Sequence, residues 1–303
     1  MTRSLPKFVA NAYRKLITSA PGVMMAPASV RRLSELQEAI CHWAYPRGLS
    51  RPHDLPGELI ISLTSYPPRF PTLDFTLRSL LRQTVSPDRI IVWIANDDIA
   101  QLPSEVRDLE GIEIRSVPDL RSYKKLVFCL DEYPNSFIVT CDDDNFYPPQ
   151  WLEQLTARWT DEEPAIVCHR AHRIEWDANG SVKPYESWER DVQDAKARHP
   201  STDLLPTGLG GILYFPRSLH EDVSRSDQFQ SLCPSADDLW FFWQARRKGS
   251  KYRKVGEKFP ELYWPGSQDS ALYNANVSDN QAQMNALLGV YGLPGHSETI
   301  SSR

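Results

Sequence analysis

Strand-like and helix-like segments alternate along the chain from Glu58 onward, and this alternation restricts the fold more than any other feature of the sequence. Four apolar runs, "ELIISLTSY", "DRIIVWIAND", "IEIRSVPD" and "SFIVTCDDD", are typical of buried strands. Between them, "TLDFTLRSLLRQT" and "SYKKLVFCLDEY" have apolar residues at helical spacing, and "PSEVRDLEG" predicts a short helix or turn. Strands and helices in this order predict an α/β fold whose parallel sheet is covered on both faces.

The second half of the chain predicts a more varied set of elements. We expect a helix in "QWLEQLTARWT", a hairpin formed by "AIVCHRAHRIEW" and the turn "DANG", and a mobile polar loop over residues 187–203. Further along, "GLGGILYFP" predicts a strand, "ADDLWFFWQARRKG" an amphipathic helix and "KYRKVG" a final strand. No internal repeat interrupts this order, so residues 56–291 are expected to form one domain.

The two ends of the chain differ from this domain. Residues 1–55 contain the helix-like stretches "KFVANAYRKLIT" and "ASVRRLSELQEAICHWAY", decorated with basic residues and followed by a linker rich in Pro and Gly. This pattern favours a helical N-terminal extension, with two alternatives for its role: packing on the domain, or docking to a membrane surface or partner. Residues 292–303 are expected to be a C-terminal tail.

Composition excludes several classes of protein. The 303 residues are 41% apolar and 24% charged, which is typical of a globular protein. A net charge of −5 argues against a nucleic-acid partner. The five cysteines are scattered without a CxxC pair, which argues against a disulfide framework or a thiolate zinc site. No apolar run reaches the roughly 18 residues of a membrane span, and no signal-peptide pattern opens the chain, so we expect a cytoplasmic protein.

Three adjacent carboxylates, Asp142, Asp143 and Asp144, end the fourth predicted strand. Ligands of open parallel sheets bind beyond the carboxyl ends of the strands, where these aspartates lie. Strand alternation would put Asp142 and Asp144 on one side, where they could hold Mg²⁺ or Mn²⁺ together with substrate phosphates. Two alternatives are a calcium loop, which Tyr147 disfavours at a position that needs glycine, and an acidic turn that caps the following helix.

At this point the chain resembles a family, the nucleotide-sugar glycosyltransferases of the GT-A fold, and among them bacterial enzymes that build surface polysaccharides. The resemblance covers Glu58 to Tyr291 and rests on an ordered set of stretches: "SLTSYPPRF", "TLRSLLRQTVSPDRIIVWIA", "SYKKL", "DDDNFYPP", "GLGGILYFP" and "ADDLW". It implies a Rossmann-like, mixed but mostly parallel sheet flanked by helices. It also implies that Asp142 and Asp144 hold the divalent metal.

The resemblance also implies which residues contact the nucleotide sugar. Lys124 would approach the base or diphosphate, with Lys125 as the alternative, and the glycine-rich stretch would line the donor-sugar and acceptor pocket. The full set of implied nucleotide-sugar residues is Thr64, Ser65, Tyr66, Arg69, Asn96, Asp97, Lys124, Asp143, Gly210 and Gly211. For several of these the alternative is an ordinary surface or turn role.

An acidic pair, Asp237 and Asp238, opens the predicted helix "ADDLWFFWQARRKG". Carboxylates are favoured at a helix N-terminus, so a capping role is one interpretation. In similar enzymes an acidic pair at this place includes the general base that removes a proton from the acceptor hydroxyl. The resemblance therefore implies Asp238 as the base, with Asp237 as the second candidate, and a transfer that inverts the sugar's anomeric centre.

Two other stretches carry candidate chemistry. In "CHRAHR", strand alternation separates His169 from His172, which argues against a soft-metal site and leaves phosphate contacts by Arg170 or Arg173. The six basic residues between positions 246 and 254 predict a solvated face, with attraction to an anionic lipid or lipid-linked acceptor as the alternative.

Together these observations predict a metal-dependent, hexosyltransferase-like enzyme. It would move a sugar from a nucleoside-diphosphate sugar, with a UDP-sugar as the expected donor, to a glycan or lipid-linked glycan in bacterial surface polysaccharide synthesis. The expected location is the cytoplasm, including peripheral contact with the inner face of the membrane. The alternatives are a sugar nucleotidyltransferase, which "TSYPPRF" disfavours because it lacks a glycine-rich phosphate loop, and a non-catalytic glycan-binding protein with the same fold.

Overall fold

The computed structural model describes residues 50–178, 181–256, 258–264, 267 and 273–292. The predicted N-terminal helices and nearly all of the predicted tail lie outside the described residues. The strands are β1 (Arg51–Pro52), β2 (Leu59–Thr64), β3 (Val85–Ser86), β4 (Arg89–Ala95), β5 (Glu113–Val117), β6 (Phe137–Thr140), β7 (Ile166–Cys168), β8 (Ala171–Arg173), β9 (Leu204–Pro206), β10 (Ile212–Tyr214) and β11 (Tyr252–Lys254). The helices are α1 (Phe70–Leu80), α2 (Ser104–Arg107), α3 (Lys124–Glu132), α4 (Trp151–Thr156), α5 (Ser226–Leu232), α6 (Asp237–Lys248) and α7 (Tyr273–Tyr291).

A central seven-stranded sheet has the order β11-β7-β10-β6-β2-β4-β5. Strands β6, β2, β4 and β5 pair in parallel, as do β11 and β7, whereas β10 is antiparallel to both of its neighbours. Six strands therefore run one way and β10 runs the other. This mixed, mostly parallel sheet with helices on its faces confirms the predicted GT-A-like fold.

Side-chain alternation in β2 shows why both faces are covered. Ile60 belongs to the apolar cluster that contains α3 and α6 residues, whereas Leu59, Ile61 and Leu63 belong to the cluster that contains α1 and α4 residues. All four side chains are fully buried. A strand buried on both faces is apolar at nearly every position, and in "LIISLT" the buried polar Ser62 is satisfied by donating to the Lys125 carbonyl.

The predicted hairpin forms only at its end, where Trp176 and Val182 make an antiparallel bridge, and the long strand predicted before the turn is broken. Within "AIVCHRAHRIEW" the strand breaks after Cys168, so that β7 joins the central sheet while β8 pairs with β9. A tight turn does form at the predicted "DANG" position, where Asp177 N–H donates to the Ser181 carbonyl at 2.9 Å. The chain changes sheets at residues 169–170, and periodicity within a single strand-like run does not reveal such a break.

Two further expectations need correction. The segment 187–203 is packed rather than free, because Trp188, Val192 and Ala197 are almost fully buried. Helix α6 is not amphipathic in its middle, since residues 239–246 are all buried. Such a helix passes through the core instead of covering it, and it meets solvent only at Asp238 in its first turn and at its last turn.

Helix α7 lies outside every predicted element. It packs on α6 through the buried side chains of Met284 and Leu287, and the Arg247 guanidinium lies 4.3 Å from the centre of the Tyr291 ring. In the described part of the chain, no helix is both long and apolar enough to cross a membrane.

Candidate active site

The predicted site residues converge because six parallel strands end at the same edge of the sheet. Ser65 follows β2, Asn96 follows β4, and Asp142 to Asp144 follow β6. Strand β10 runs the opposite way, so its beginning brings the glycine-rich turn Gly208–Gly210 to this same edge. The acidic pair reaches the edge from the N-terminus of α6.

The three aspartates form a turn beyond the strand, which corrects the prediction based on strand alternation. Strand β6 ends at Thr140, so the alternation of side chains does not extend to Asp142 and Asp144. Asp142 lies against the Lys125 ammonium, with 3.1 Å between Oδ1 and Nζ, and keeps about a third of its side chain exposed (34%). Asp144 is instead buried and forms an ion pair with Arg69.

Asp143 lies between these two. Its Oδ2 accepts a hydrogen bond of 2.5 Å from the Ser65 hydroxyl. Loss of solvent and the neighbouring Asp144 carboxylate raise the pKa of Asp143 to about 7, although Ser65 and Arg69 oppose the shift. The same Arg69 guanidinium would lose basicity through burial, but Asp144 and Asp143 raise its pKa above the ordinary value, so it stays charged.

Lys125 connects the aspartate turn to the acidic pair of α6. Its ammonium is 3.0 Å from Asp237 Oδ2 as well as 3.1 Å from Asp142, and the side chain is almost fully buried. Burial alone would lower the pKa of Lys125, but Asp142, Asp237 and Asp238 raise it well above its ordinary value. The backbone of Lys125 is fixed to strand β2, because the Ser62 hydroxyl donates to the Lys125 carbonyl at 2.5 Å.

Asp238 faces the glycine-rich turn. One of its carboxylate oxygens, Oδ2, accepts a 3.0 Å hydrogen bond from the Gly208 N–H. The other oxygen, Oδ1, has no hydrogen-bond partner among the described residues. Burial and the adjacent Asp237 carboxylate raise the pKa of Asp238, while Lys125 opposes the rise. A carboxylate with a raised pKa and one unused oxygen has the properties of a general base.

Gly208 lies at the centre of this arrangement. A Cβ at this position would be 2.7 Å from Lys125 Nζ, 3.1 Å from Asp142 Oδ1 and 3.4 Å from Asp238 Oδ1. The three side chains therefore surround a space that only glycine leaves open. The other glycines of the turn have packing roles: Gly211 has φ +88° and lies against Trp151, whose Nε1 donates to the Gly210 carbonyl at 2.7 Å.

The residues at this edge fit a divalent cation through their chemistry. The group in contact contains the carboxylates of Asp142, Asp143, Asp144, Asp237 and Asp238 but only two cations, Lys125 and Arg69. Mg²⁺ and Mn²⁺ bind through one or two carboxylates and complete their shell with water and phosphate oxygens. The partly exposed Asp142 fits that role directly, whereas Asp144 would first have to leave Arg69. Among the described residues, no cluster of three or more His, Cys, Asp or Glu side chains forms a protein-only metal site.

The predicted nucleotide residues divide into two groups. Ser65 and Arg69 contact the aspartate turn directly, as described above. Thr64 donates to the Trp93 carbonyl, and the Asn96 side chain accepts a hydrogen bond from Ser116. Tyr66, Asn96 and Asp97 are exposed at the carboxyl edge of β2 and β4.

Lys124 and Lys125 take different directions. The Lys124 ammonium lies 2.6 Å from a carboxylate oxygen of Asp119, whose side chain is largely exposed. Asp119 also lies at the carboxyl edge of the sheet. The structure therefore brings the alternative, Lys125, to the aspartate turn, whereas Lys124 stays near the end of β5. Consecutive helical residues point about 100° apart, and sequence alone does not fix which one faces inward.

Two other candidate stretches have structural partners. His169 Nε2 lies 3.1 Å from the Trp151 carbonyl, and His172 Nδ1 accepts from the Asp191 N–H. Both rings are buried, and no shared metal geometry joins them among the described residues. Arg170 contacts Thr207 and Glu261 rather than a carboxylate of the aspartate turn. The basic run is only partly solvated, because Arg246, Arg253 and Lys254 are buried.

Sequence reasoning missed two residues of the site. The Tyr147 hydroxyl receives the Asp142 N–H at 2.9 Å and reaches the Leu209 carbonyl at 3.4 Å, so it joins the aspartate turn to the glycine-rich turn. Tyr263 lies in a segment that pairs with Asn145. Burial and the carboxylates of Glu261, Asp144 and Asp142 raise the pKa of Tyr263. The position of Tyr147 in "DDDNFYPP", directly after the aspartates, could have indicated its role in the site. No pattern around Tyr263 in the sequence indicates that it lies near the aspartate turn.

Comparisons with known proteins identify the family. The model of the family described as glycosyl transferase family 2 matches residues 68–224, more than half of the chain. A comparison with curated protein sequences finds no match. The matched segment contains the aspartate and glycine-rich turns but ends before Asp237 and Asp238.

Solved structures with a similar fold include enzymes and a ligand complex. A 4-diphosphocytidyl-2C-methyl-D-erythritol synthase from Anaerococcus prevotii DSM 20548 is 15% identical, with a TM-score of 0.44 over 73% of this chain and 95% of that chain. A second structure of a 4-diphosphocytidyl-2C-methyl-D-erythritol synthase is 10% identical, with a TM-score of 0.42 over 73% and 98%. GalNAc-T7 with UDP, GalNAc and Mn²⁺ is 12% identical, with a TM-score of 0.41 over 77% of this chain and 48% of that chain.

These structures are too distant to assign a substrate, and the assignment rests on the family model. By that match, the chain belongs to glycosyl transferase family 2 and is a glycosyltransferase with a GT-A fold.

Proposed function

We propose that this glycosyltransferase moves a sugar from a nucleoside-diphosphate sugar, with UDP as the expected carrier, to a glycan acceptor with inversion and with a divalent cation. One observation carries the proposal. Asp142 and Asp238 both face the space beside Gly208, with Oδ1 atoms 3.1 and 3.4 Å from the position of a Cβ on that glycine. A group suited to metal and diphosphate and a group suited to proton removal thus border one opening.

The chain's own cations would stabilise the leaving diphosphate. Lys125 and Arg69 hold their charges beside the aspartate turn, where the diphosphate of a donor bound at the carboxyl edge would lie. Asp142 would hold the cation directly, and Asp144 would be available as a second ligand if Arg69 paired with the phosphates instead. When bound, the cation supplies Lewis-acid stabilisation of the departing phosphate oxygen.

Asp238 would take the proton of the acceptor hydroxyl. Within the described part of the chain its Oδ1 has no hydrogen-bond partner, and its Oδ2 is fixed by the Gly208 N–H, so the carboxylate has one oxygen for orientation and one for reaction. Its raised pKa lies closer to neutral pH than that of an ordinary aspartate. A general base is most efficient when its pKa is near the pH of the reaction. Asp237 is engaged with Lys125 and is therefore the less suited of the pair, although it remains the second candidate.

The donor would extend from this centre along the carboxyl edge. The base and ribose would lie near Thr64, Tyr66, Asn96 and Asp97, with Lys124 at the end of β5. The transferred sugar would lie against the glycine-rich turn that contains Gly210 and precedes Gly211. We propose a glycan or lipid-linked glycan of a bacterial surface polysaccharide as the acceptor, reached in the cytoplasm or at the inner face of the membrane.

The test measures nucleotide release from a panel of nucleoside-diphosphate sugars, with and without glycan acceptors, in Mn²⁺, Mg²⁺ or EDTA. Asp142→Ala and Asp144→Ala should lose turnover and stay folded, and Asp238→Asn should lose turnover but keep its affinity for the donor. The exposed Asp161, changed to Ala, serves as the matched control and should keep full activity.

Several outcomes would contradict parts of the proposal. Full activity of wild type in EDTA removes the metal role, and full activity of both Asp237→Asn and Asp238→Asn leaves the pair as a helix cap. Pyrophosphate release from a nucleoside triphosphate and a sugar phosphate, without sugar transfer, would identify a nucleotidyltransferase. Binding of glycan with no turnover of any donor would indicate a non-catalytic protein.

A further inference from the structure

Helix α6 places the candidate base, yet its N-terminus has no cap of its own. The residue before the helix is Ala236, whose side chain cannot accept a hydrogen bond from the backbone. The first N–H groups of a helix, and those of the residues that lead into it, need acceptors when they are buried. The sequence "SADDLW" therefore needs a partner from another part of the fold if Asp238 is to stay in one position.

Gln283 of α7 supplies that partner. Its Oε1 accepts hydrogen bonds from two consecutive backbone N–H groups, Ser235 at 3.0 Å and Ala236 at 3.1 Å. Its Nε2 donates to the Ser235 hydroxyl at 2.8 Å. Gln283 is 6% exposed as a residue, so these bonds are made in the interior, where water does not readily replace a lost partner.

The segment before α6 is also held on its other side. The Tyr123 hydroxyl donates to the Cys233 carbonyl, and the Cys233 thiol lies 3.1 Å from the Ala236 carbonyl. Tyr123 comes two residues before Lys125, which contacts Asp237. The segment that leads into α6 is thus held by Tyr123, the residue before α3, on one side and by Gln283 of α7 on the other.

Helix α7 is itself firmly attached to α6. Trp243 Nε1 donates to the Gly292 carbonyl at 3.1 Å, and Arg247 stacks on Tyr291. A displacement of Gln283 would therefore need a displacement of the helix it belongs to. The geometry lets one amide side chain transmit the position of α7 to the first turn of α6.

We propose that Gln283 is a positioning residue for the candidate base: its side-chain amide fixes the backbone before α6 and so holds Asp238 at its place beside Gly208 and Asp142. This inference rests on the proposed function of Asp238. Gln283 contacts neither donor nor acceptor in this assignment. Its effect should therefore fall on the catalytic step and leave binding of the donor unchanged.

The test compares Gln283→Met, which keeps the length but loses the acceptor, with Gln283→Glu, which keeps an acceptor for both N–H groups. Gln281→Met is the matched control, because Gln281 lies on the same helix and accepts the Tyr185 N–H at 2.6 Å, away from α6. Three quantities are measured: kcat with saturating donor and acceptor, the donor Kd, and the hydrogen exchange of amides 235–239. Gln283→Asn is the milder variant if Gln283→Met does not fold.

We expect Gln283→Met to lower kcat by about tenfold or more. A catalytic group that is displaced by about 1 Å can slow a reaction by about a hundredfold. Its donor Kd should stay within about twofold, and the amides of Ser235 and Ala236 should exchange faster. Gln283→Glu should restore both the slow exchange and most of kcat, and Gln283→Asn should fall between. Gln281→Met should keep wild-type kcat.

Three results would overturn the inference. These are unchanged exchange at residues 235 and 236 in Gln283→Met, faster exchange with wild-type kcat, and an equal loss of kcat in Gln281→Met. If wild type turns over no nucleotide sugar, the proposed function fails separately. The exchange measurement does not need turnover, and unchanged exchange would remove the role of Gln283 whatever the reaction.

Discussion

At the scale of single residues, Lys125 determines how the site is organised. It lies between a carboxylate suited to metal binding and the acidic pair of α6, and its ammonium has 3.1 and 3.0 Å contacts to Asp142 and Asp237. The resemblance implied a lysine at this place but preferred Lys124. Two adjacent lysines are equivalent in sequence, and only the packing of α3 on β2, where Ser62 holds the Lys125 carbonyl, distinguishes them.

The first prediction concerns the removal of this charge. Lys125→Met should destabilise the protein by about 3 kcal/mol, the low end for a buried ion pair, because Asp142 retains solvent contact. Lys124→Met should cost about 1 kcal/mol or less, since its partner Asp119 is largely exposed. Urea unfolding measures both values, and equal losses in the two variants would show that Lys125 has no special electrostatic role.

The second prediction concerns the space beside Gly208. In Gly208→Ala the new Cβ would come 2.7 Å from Lys125 Nζ, so the flexible end of the lysine must shift, and its contacts with Asp142 and Asp237 change. We expect turnover to fall at least about tenfold, with a small change in stability because only a side-chain end shifts. Gly256→Ala is the control, since its Cβ would meet no atom of the described residues within 4 Å. Wild-type turnover in Gly208→Ala would contradict this account of the site.

At the scale of elements, the sequence predicted the strands of the central sheet but missed the short strands β1, β3 and β9 and helix α7. The ends of β2, β4 and β6 are marked by a change from apolar to polar residues, which is why the carboxyl-edge residues were found. Helix α7 has no such signal: its sequence "YNANVSDNQAQMNALLGVY" is rich in Asn, a weak helix former, and has little apolar periodicity. Tertiary contacts with α6 determine its conformation, and these are not visible in a local pattern.

The third prediction tests that dependence of α7 on packing. Leu287 is fully buried against the core, so Leu287→Ala should lower the free energy of unfolding by about 2–5 kcal/mol. Val290 is 59% exposed on the same helix, and Val290→Ala should change it by less than about 0.5 kcal/mol. Denaturant unfolding measures both. Similar small effects in the two variants would mean that α7 is not part of the cooperative core.

At the scale of the whole molecule, the interior contains histidines with lowered pKa values and aspartates with raised pKa values. Burial lowers the pKa of His169 to about 4 and, together with Arg170 and Arg190, that of His172 to about 3. Burial and carboxylate neighbours instead raise the pKa of Asp143 and Asp238. The sequence predicted which residues would gather but not these shifts, because each shift depends on burial created by distant segments.

The two classes act on stability in opposite directions as pH falls. Below about pH 6.5 the unfolded state protonates His169 and His172 while the folded state does not, so these groups destabilise the protein on acidification. Asp143 and Asp238 protonate first in the folded state, and so they stabilise it over part of the same range. The contribution of the histidines to the pH dependence of stability is therefore measured as the difference in free energy of unfolding between a histidine variant and wild type.

The fourth prediction is that difference. Replacing either histidine by Gln removes a group that the unfolded state protonates more readily, so the variant should gain stability relative to wild type as pH falls from 6 to 4.5. The gain should be about 1.4 kcal/mol for each pH unit and each histidine, and additive in the double variant.

Each variant can also lose a constant amount of stability, because His169 faces the Trp151 carbonyl and His172 accepts the Asp191 N–H. That constant loss does not change the slope. Urea unfolding at several pH values in EDTA measures the slopes, and slopes parallel to wild type would show that these rings protonate in the folded protein as easily as in the unfolded chain.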